Sequence, residues 1–195
     1  MRKYSSNLAF VDLLFNLLVG FTSLFVIAFL LINPIAKKGV VDPPVILMVE
    51  MEWDDYSDLD MDLYIQGPDG IPVYYGNKSN GYITLKRDDV GTRGDIFVIN
   101  GESTTVYRNY EITTMTALPD GDYVINVHYF SMAGEGQEVR VRMTGIQPFQ
   151  VHYEGSVHLT RRKEATVIVF KVRNGKIADI RNDVPVKLRG GGVAP

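Results

Sequence analysis

Cysteine is absent from the 195 residues, and the chain holds only one tryptophan and three histidines. Without cysteine the protein cannot build a disulfide framework, although this absence does not identify its compartment. His128, His152 and His158 fall in segments that read as strands, and we expect ordinary strand histidines. The chain also lacks a nucleophile elbow, a phosphate-binding glycine loop and zinc-ligand spacing. We therefore predict that the protein is not an enzyme.

An excess of positive charge is also missing. The 20 lysines and arginines are outnumbered by 23 acidic residues, for a formal net charge of −3. A nucleic-acid surface would need a basic balance or a long basic stripe. The run Arg161-Arg162-Lys163 is short and is typical of a solvated turn, so no nucleic-acid partner is expected.

Charge is nearly absent between residues 8 and 32, where Asp12 is the only ionised side chain. A helix of this length measures about 37 Å and can cross a hydrocarbon core of about 30 Å. The apolar core of a cleaved signal peptide is shorter, at about 7–15 residues. The segment predicts a retained transmembrane helix over 8–32, after a short N-terminus (1–7) and before a short linker (33–44). Lysines and arginines flank both ends about equally, so they do not set the orientation.

The rest of the chain is rich in Val, Ile, Tyr, Phe and Thr and is divided by turn sequences such as Gly67-Pro68-Asp69-Gly70. The alternation in Val139-Arg140-Val141-Arg142-Met143 predicts a half-buried strand, and Tyr123, Ile125, Val127 and Tyr129 line one face of another. We also predict one strand over 105–114 and two separate strands over 149–153 and 157–161. The fold class is therefore a single N-terminal transmembrane helix followed by an all-β antiparallel sandwich over 45–188, with a flexible tail at 189–195.

Asp12 is costly where it stands, because an ionised aspartate within a bilayer costs about 2.5–3.5 kcal/mol on insertion scales. One interpretation places it in the headgroup region, where an acidic residue also suits the helix dipole. The other rests on its neighbours, since Asn16, Gly20 and Ser23 continue the same helix face. Small and polar residues on one face predict partner helices, and a carboxylate at such a contact can bind and release a proton or sodium ion, with Asn16 and Ser23 tuning the site.

The stretch V-D-L-L-F-N-L-L, from Val11 to Leu18, resembles the helix of B subunits of ion-driven motors, the family of MotB, ExbD and TolR. The resemblance covers about residues 5–33. It implies a homodimer whose two helices sit in the membrane lipid within a ring of five polytopic A subunits like MotA, ExbB or TolQ. It also implies that Asp12 carries the ion, that the N-terminus is cytoplasmic, and that the β-domain lies outside the bacterial inner membrane, in the periplasm. The OmpA-like domain of MotB and the small α/β domain of ExbD are absent from this sequence.

A second resemblance covers about residues 50–145. The stretches S-D-L-D-M-D-L (57–63), G-P-D-G (67–70) and V-Y-Y-G-N (73–77) follow the order of motifs in a bacterial family of secreted β-sandwich domains of unassigned function. The family supplies a fold but no activity.

Acidic residues in this region form a candidate calcium site. The predicted ligands are Asp60, Asp62, Asp88, Asp89 and Asp95. Asp60 and Asp62 alternate along a predicted strand and so share a face. Carboxylates gathered from a strand and loops suit calcium, which takes 6–8 oxygens. The alternative is that these residues form turns and solvated loop charges.

Two function hypotheses follow. The first is a motor subunit whose β-domain anchors or transmits force to an unknown extracytoplasmic target. The second is a membrane-tethered binding module in which the helix is only an anchor and the sandwich captures a ligand, glycan or protein.

Overall fold

The structure is a computed structural model that describes residues 6–32, 44–130, 134 and 136–189. A single long helix, α1 (Ser6–Ile32), forms one compact unit, and a β-domain forms another. This confirms the predicted fold class of an apolar helix followed by antiparallel sheets. Most of the predicted linker (33–43), residues 1–5 of the N-terminus and residues 190–195 of the tail lie outside the described residues.

The β-domain contains strands that we number in chain order. They are β1 (Leu47–Glu52), β2 (Met61–Gln66), β3 (Pro72–Val73), β4 (Ile83–Arg87), β5 (Ile96–Ile99), β6 (Glu102–Thr105), β7 (Tyr110–Met115), β8 (Gly121–Tyr129), β9 (Gln137–Ile146), β10 (Phe149–Leu159), β11 (Glu164–Arg173) and β12 (Lys176–Arg181).

The strands form two five-stranded sheets and a small ribbon. The first sheet has the order β10-β9-β1-β7-β4, the second has the order β12-β11-β8-β2-β3, and β5 pairs with β6. All these pairs are antiparallel. One hydrophobic core lies between the two larger sheets and takes side chains from both.

The period-2 pattern places the core residues as predicted. Along β8, Tyr123, Ile125, Val127 and Tyr129 are fully buried, and β9 alternates buried valines with exposed arginines from Val139 to Met143. Burying an apolar side chain of this size stabilises a fold by about 1.5–3 kcal/mol. The core therefore forms from the alternating faces that the sequence displays.

Three strand predictions were wrong. The single strand predicted over 105–114 is two strands, because β6 ends at Thr105 and β7 begins at Tyr110. The two strands predicted over 149–153 and 157–161 are one continuous strand, β10. Gly155 lies within it, at a position where a Cβ would meet the Tyr153 ring. The strand β12 was missed, because this exposed edge strand has little apolar pattern.

Residues 184–189, which we call the C-terminal strap, cross the outer face of the second sheet. The Thr166 hydroxyl oxygen lies 2.8 Å from the Val186 amide nitrogen, which donates to it, and donates in turn to the Val186 carbonyl at 2.9 Å. The Asn126 amide also donates to that carbonyl, at 2.7 Å. The strap therefore buries polar side chains that face away from the core.

Candidate functional site

One side of α1 carries the predicted polar stripe, which consists of Asp12, Asn16, Gly20 and Ser23. At 3.6 residues per turn these positions fall within about 80° of arc. All four are exposed in the single chain, and a Cβ built on Gly20 would meet nothing within 4 Å. The nearby Thr22 hydroxyl is satisfied within the helix, since it donates to the Leu18 carbonyl at 2.8 Å. The stripe is thus open to a neighbouring helix along its whole length.

The five aspartates predicted to bind calcium separate into two groups. Asp88 and Asp89 follow each other directly after β4, but their carboxylates have different partners. The Asp88 carboxylate lies 2.9 Å from the Lys78 ammonium, and the Asp89 carboxylate lies 2.6 Å from the Arg87 guanidinium. The charges of Asp62 and Asp88 act on Asp60 more strongly than the charge of Asp89, which also acts on Asp95.

A glutamate that the sequence reasoning missed completes the first group. Carboxylate oxygens of Asp62, Asp88 and Glu111 all lie within 4.8 Å of one another, and we call these three residues the carboxylate cluster. Asp60, directly before β2, lies beside it. Three carboxylate oxygens at this spacing have the chemistry of a divalent-cation site, although calcium needs 6–8 oxygens in all. Calcium binding at Asp60, Asp62 and Asp88 stays a prediction.

Glu111 reaches the cluster because β2 has a partly open edge. The short strand β3 pairs only with Ile65 and Gln66, so it does not cover Leu63. The Leu63 amide instead donates to the Glu111 carboxylate at 2.8 Å. A buried amide without an acceptor costs about 1–3 kcal/mol. Glu111 therefore closes a gap in the second sheet from its position on β7 in the first.

Burial disfavours ionisation in this region. Burial raises the pKa of Glu111 well above its ordinary value, against the lowering effect of the Leu63 amide. Burial also raises the pKa of Asp60 to about 6, and the charges of Asp62 and Asp88 add to the shift. The pKa of Asp62 is raised by burial as well, although the His128 contact opposes this. A proton or a cation would relieve the crowding of negative charge.

His128 links the carboxylate cluster to the C-terminal strap. Its Nδ1 lies 3.4 Å from an oxygen of Asp62, and its Nε2 is in close contact with the Arg189 guanidinium. Since a guanidinium only donates, Nε2 accepts and the imidazole proton sits on Nδ1, facing Asp62. The buried His128 is thus a bonded strand histidine, and Arg189 is held here rather than free in a tail.

Aromatic rings lie next to this histidine, since Tyr64 and Phe130 both meet His128 edge-on. Tyr64 and Tyr74 are stacked, with ring centroids 4.8 Å apart, while Tyr75 meets Phe130 edge-on at 5.7 Å. Tyr75 and Phe130 are 39% and 41% exposed. Such rings suit contact with a sugar or a protein surface.

The second group, Asp89 and Asp95, differs from the first in the hydrogen-bond partners of its carboxylates. The Asp89 carboxylate has several partners, because it accepts from Arg87 and from the amides of Gly91 and Tyr110. Asp95 is 0% exposed, and neither of its carboxylate oxygens has a hydrogen-bond partner among the described residues. Burial raises the pKa of Asp95, and the charge of Asp89 raises it further.

One signal for Glu111 was present in the sequence. It is the only charged residue between Tyr110 and Met115, just as Asp12 is the only charge in its helix. A lone acid in an otherwise neutral strand is a reason to expect a specific partner. No comparable local signal marks the role of Arg189.

Comparison of the chain with protein-family models, with curated proteins and with solved structures finds no match. The function of the protein is therefore inferred from its own residues.

Proposed function

We propose that the protein is a B-type subunit of a proton- or sodium-driven motor in a bacterial inner membrane. The observation that carries the proposal is Asp12, the single charge in α1. Among the described residues, α1 is the one helix that is long and apolar enough to cross a membrane. A signal sequence passes the same test of length and composition. A lipid-exposed carboxylate there is costly, and protein contacts remove that cost.

The stripe suits a helix that works inside an assembly. Asn16 follows Asp12 by one turn, about 6 Å along the axis, and offers an amide on the same face. Gly20 leaves room for the backbone of a second helix. Two copies of the chain would pair through α1 inside a ring of polytopic subunits, where Asp12 binds and releases the ion. The β-domain would anchor the pair or transmit force outside the membrane.

The test is Asp12→Asn in a complex co-purified with a multi-span membrane protein that assembles with this chain. We expect the variant to assemble with unchanged native mass but to lose ion uptake in liposomes, followed with a pH-sensitive dye and with sodium. Thr22→Val is the matched control, because that hydroxyl is satisfied within the helix. A fully active Asp12→Asn complex, or a chain that never assembles with a multi-span partner, contradicts the proposal.

A membrane-tethered binding module is the second candidate, and the exposed rings of Tyr75 and Phe130 favour it. In that case α1 is an anchor and the aromatic surface takes a glycan or a protein. Replacing residues 1–33 with an unrelated apolar helix distinguishes the two, since a tethered module keeps its function and a motor subunit loses it.

A further inference from the structure

Three buried oxygen atoms in the loops that lead into β5 and β7 receive no hydrogen bond within the part of the chain that the structure describes. They are both carboxylate oxygens of Asp95 and the side-chain oxygen of Asn109, and both residues are 0% exposed. Burying an ionised carboxylate without a partner is far more costly than burying one that is paired. We propose that these oxygens, together with the Asp55 carboxylate, bind a divalent cation of the calcium class.

The loop that precedes β7 holds Asn109 in a defined orientation. The Asn109 backbone amide donates to the Asp55 carboxylate at 3.2 Å, and its side-chain amide donates to the carbonyls of Asp54 and Ser57, at 2.6 and 2.7 Å. Two carbonyl acceptors require the nitrogen on that side, so the amide cannot be flipped. The oxygen of Asn109 is therefore turned away from these two carbonyls, and it is buried without a donor among the described residues.

Asp95 belongs to the same group of loops. It directly follows the 3-10 turn Gly91–Gly94, and its carbonyl accepts from the Val106 amide at 2.9 Å. This bond joins the β4–β5 connection to the segment that leads into Asn109. The charges of Asp89 and Asp55 both act on the Asp95 carboxylate. Hydrogen bonds thus join three loops, at residues 54–57, 88–95 and 106–109, and each carries one of the proposed ligands.

The charge balance in this place favours a divalent cation. The guanidinium of Arg87 acts on the Asp95 carboxylate, and that of Arg108 interacts with the charge of Asp55. Both guanidinium groups are already paired, Arg87 with Asp89 and Arg108 with Glu52. Asp55 and Asp95 are then left with two negative charges between them. A proton on Asp95 would remove only one of these charges, whereas a divalent cation balances both and also gives the Asn109 oxygen a partner. Carboxylate and amide oxygens on irregular loops are the ligands that calcium prefers.

This site is separate from the carboxylate cluster of Asp62, Asp88 and Glu111, and it does not depend on the motor proposal. Asp89, one of the predicted ligands, is not among the ligands proposed for this site; its carboxylate accepts from Arg87, Gly91 and Tyr110.

Terbium(III) luminescence tests the site on the full chain in detergent. Trp53 is the only tryptophan, and its backbone amide donates to the Asn109 carbonyl at 3.3 Å, so it lies close enough to sensitise a bound lanthanide. We expect sensitised emission that CaCl2 displaces, that Asp95→Asn abolishes, and that Asp55→Asn weakens by about tenfold, because fewer ligand charges lower calcium affinity. Asp122→Asn is the matched control and should keep the emission, because that exposed carboxylate pairs with Lys171 outside both acidic sites.

Thermal melts guard against a variant that is merely misfolded. CaCl2 should raise the Tm of the wild type but not that of Asp95→Asn. In EDTA, Asp95→Asn should melt no lower than the wild type, because the amide removes an unpaired buried charge. The proposal is overturned if calcium stabilises both proteins equally, if neither binds it, or if Asp95→Asn already melts lower in EDTA. Loss of terbium emission in Glu111→Gln but not in Asp95→Asn would place the ion in the carboxylate cluster and also overturn it.

Discussion

At the scale of single residues, this protein places carboxylates where ionisation is disfavoured and resolves each case differently. Glu111 accepts a backbone amide, and Asp89 pairs with Arg87. Asp95 has no partner in the described chain. Asp12 stands in an apolar helix whose own chain offers it no cover. Asp95 and Asp12 are thus the carboxylates for which binding of an ion or of another chain has the clearest physical reason.

Asp60 predicts a pH dependence of stability in EDTA. Its pKa rises from 3.8 to about 6 on folding, so below about pH 4 both states hold the proton and the group has no effect. Between about pH 4 and 6 the folded state keeps a proton that the unfolded state has lost, so stability falls as pH rises. Above about pH 6 the loss is complete.

Melting curves from pH 4 to 7 check this expectation. The Tm of the wild type should decline across the window more steeply than that of Asp60→Asn, which has no proton to lose there. Equal slopes for the two proteins would show that Asp60 ionises normally in the folded state.

At the scale of elements, the C-terminal strap explains why one outer sheet face is buried. Asn126 and His128 point away from the core, yet they are 0% and 1% exposed. The Leu188 amide adds a bond to the Glu164 carboxylate at 2.8 Å. The C-terminal strap, which has no regular secondary structure, thus forms an additional layer over β8 and β11.

Removing the strap should destabilise the β-domain. Truncation after Asp183 strips the cover from Asn126, His128 and Glu164 and removes several hydrogen bonds, each of which contributes about 0.5–1.5 kcal/mol. We expect a lower Tm by circular dichroism. Truncation after Arg189 keeps every strap bond described above and is the control; an unchanged Tm in the shorter variant would mean that the strap contributes nothing to stability.

At the scale of the whole molecule, the helix and the β-domain are distinct units that differ in how much of their apolar surface is buried within the chain. The β-domain buries a core of its own between two sheets. The apolar span Leu8–Leu31 has none of its surface buried within the chain. An apolar helix of this length is typical of a membrane span or of a signal sequence.

A retained span predicts that the protein extracted from membranes has the mass of the whole chain, 21.9 kDa. Intact-mass spectrometry of the protein expressed in a bacterial host measures this directly. A product lighter by the whole helical segment, found in the soluble fraction, would identify α1 as a cleaved signal sequence and remove the basis of the motor proposal.

The sequence predicted the core better than it predicted the candidate site. Tyr123 and Tyr129 were assigned to the buried face of β8 from alternation alone, and the structure confirms this. The same alternation placed Asp60 and Asp62 on one face of a strand, but it missed Glu111, which is 48 positions from Leu63 in the chain. The strand boundary between Thr105 and Tyr110 was also missed, because the intervening residues leave the strand to meet the loops around Asp95.

Local composition alone determined the apolar helix, the polar stripe around Asp12 and the inward faces of β8 and β9, since each depends only on neighbours within a few residues. Only the tertiary structure decided which acids meet. The separation of Asp88 from Asp89, the arrival of Glu111 at the open edge of β2, and the strap that brings Arg189 to His128 all depend on how strands from two sheets pair and stack. The physical reason is that the period of a strand specifies which face a side chain takes, whereas strand order and register specify which distant side chain it finds there.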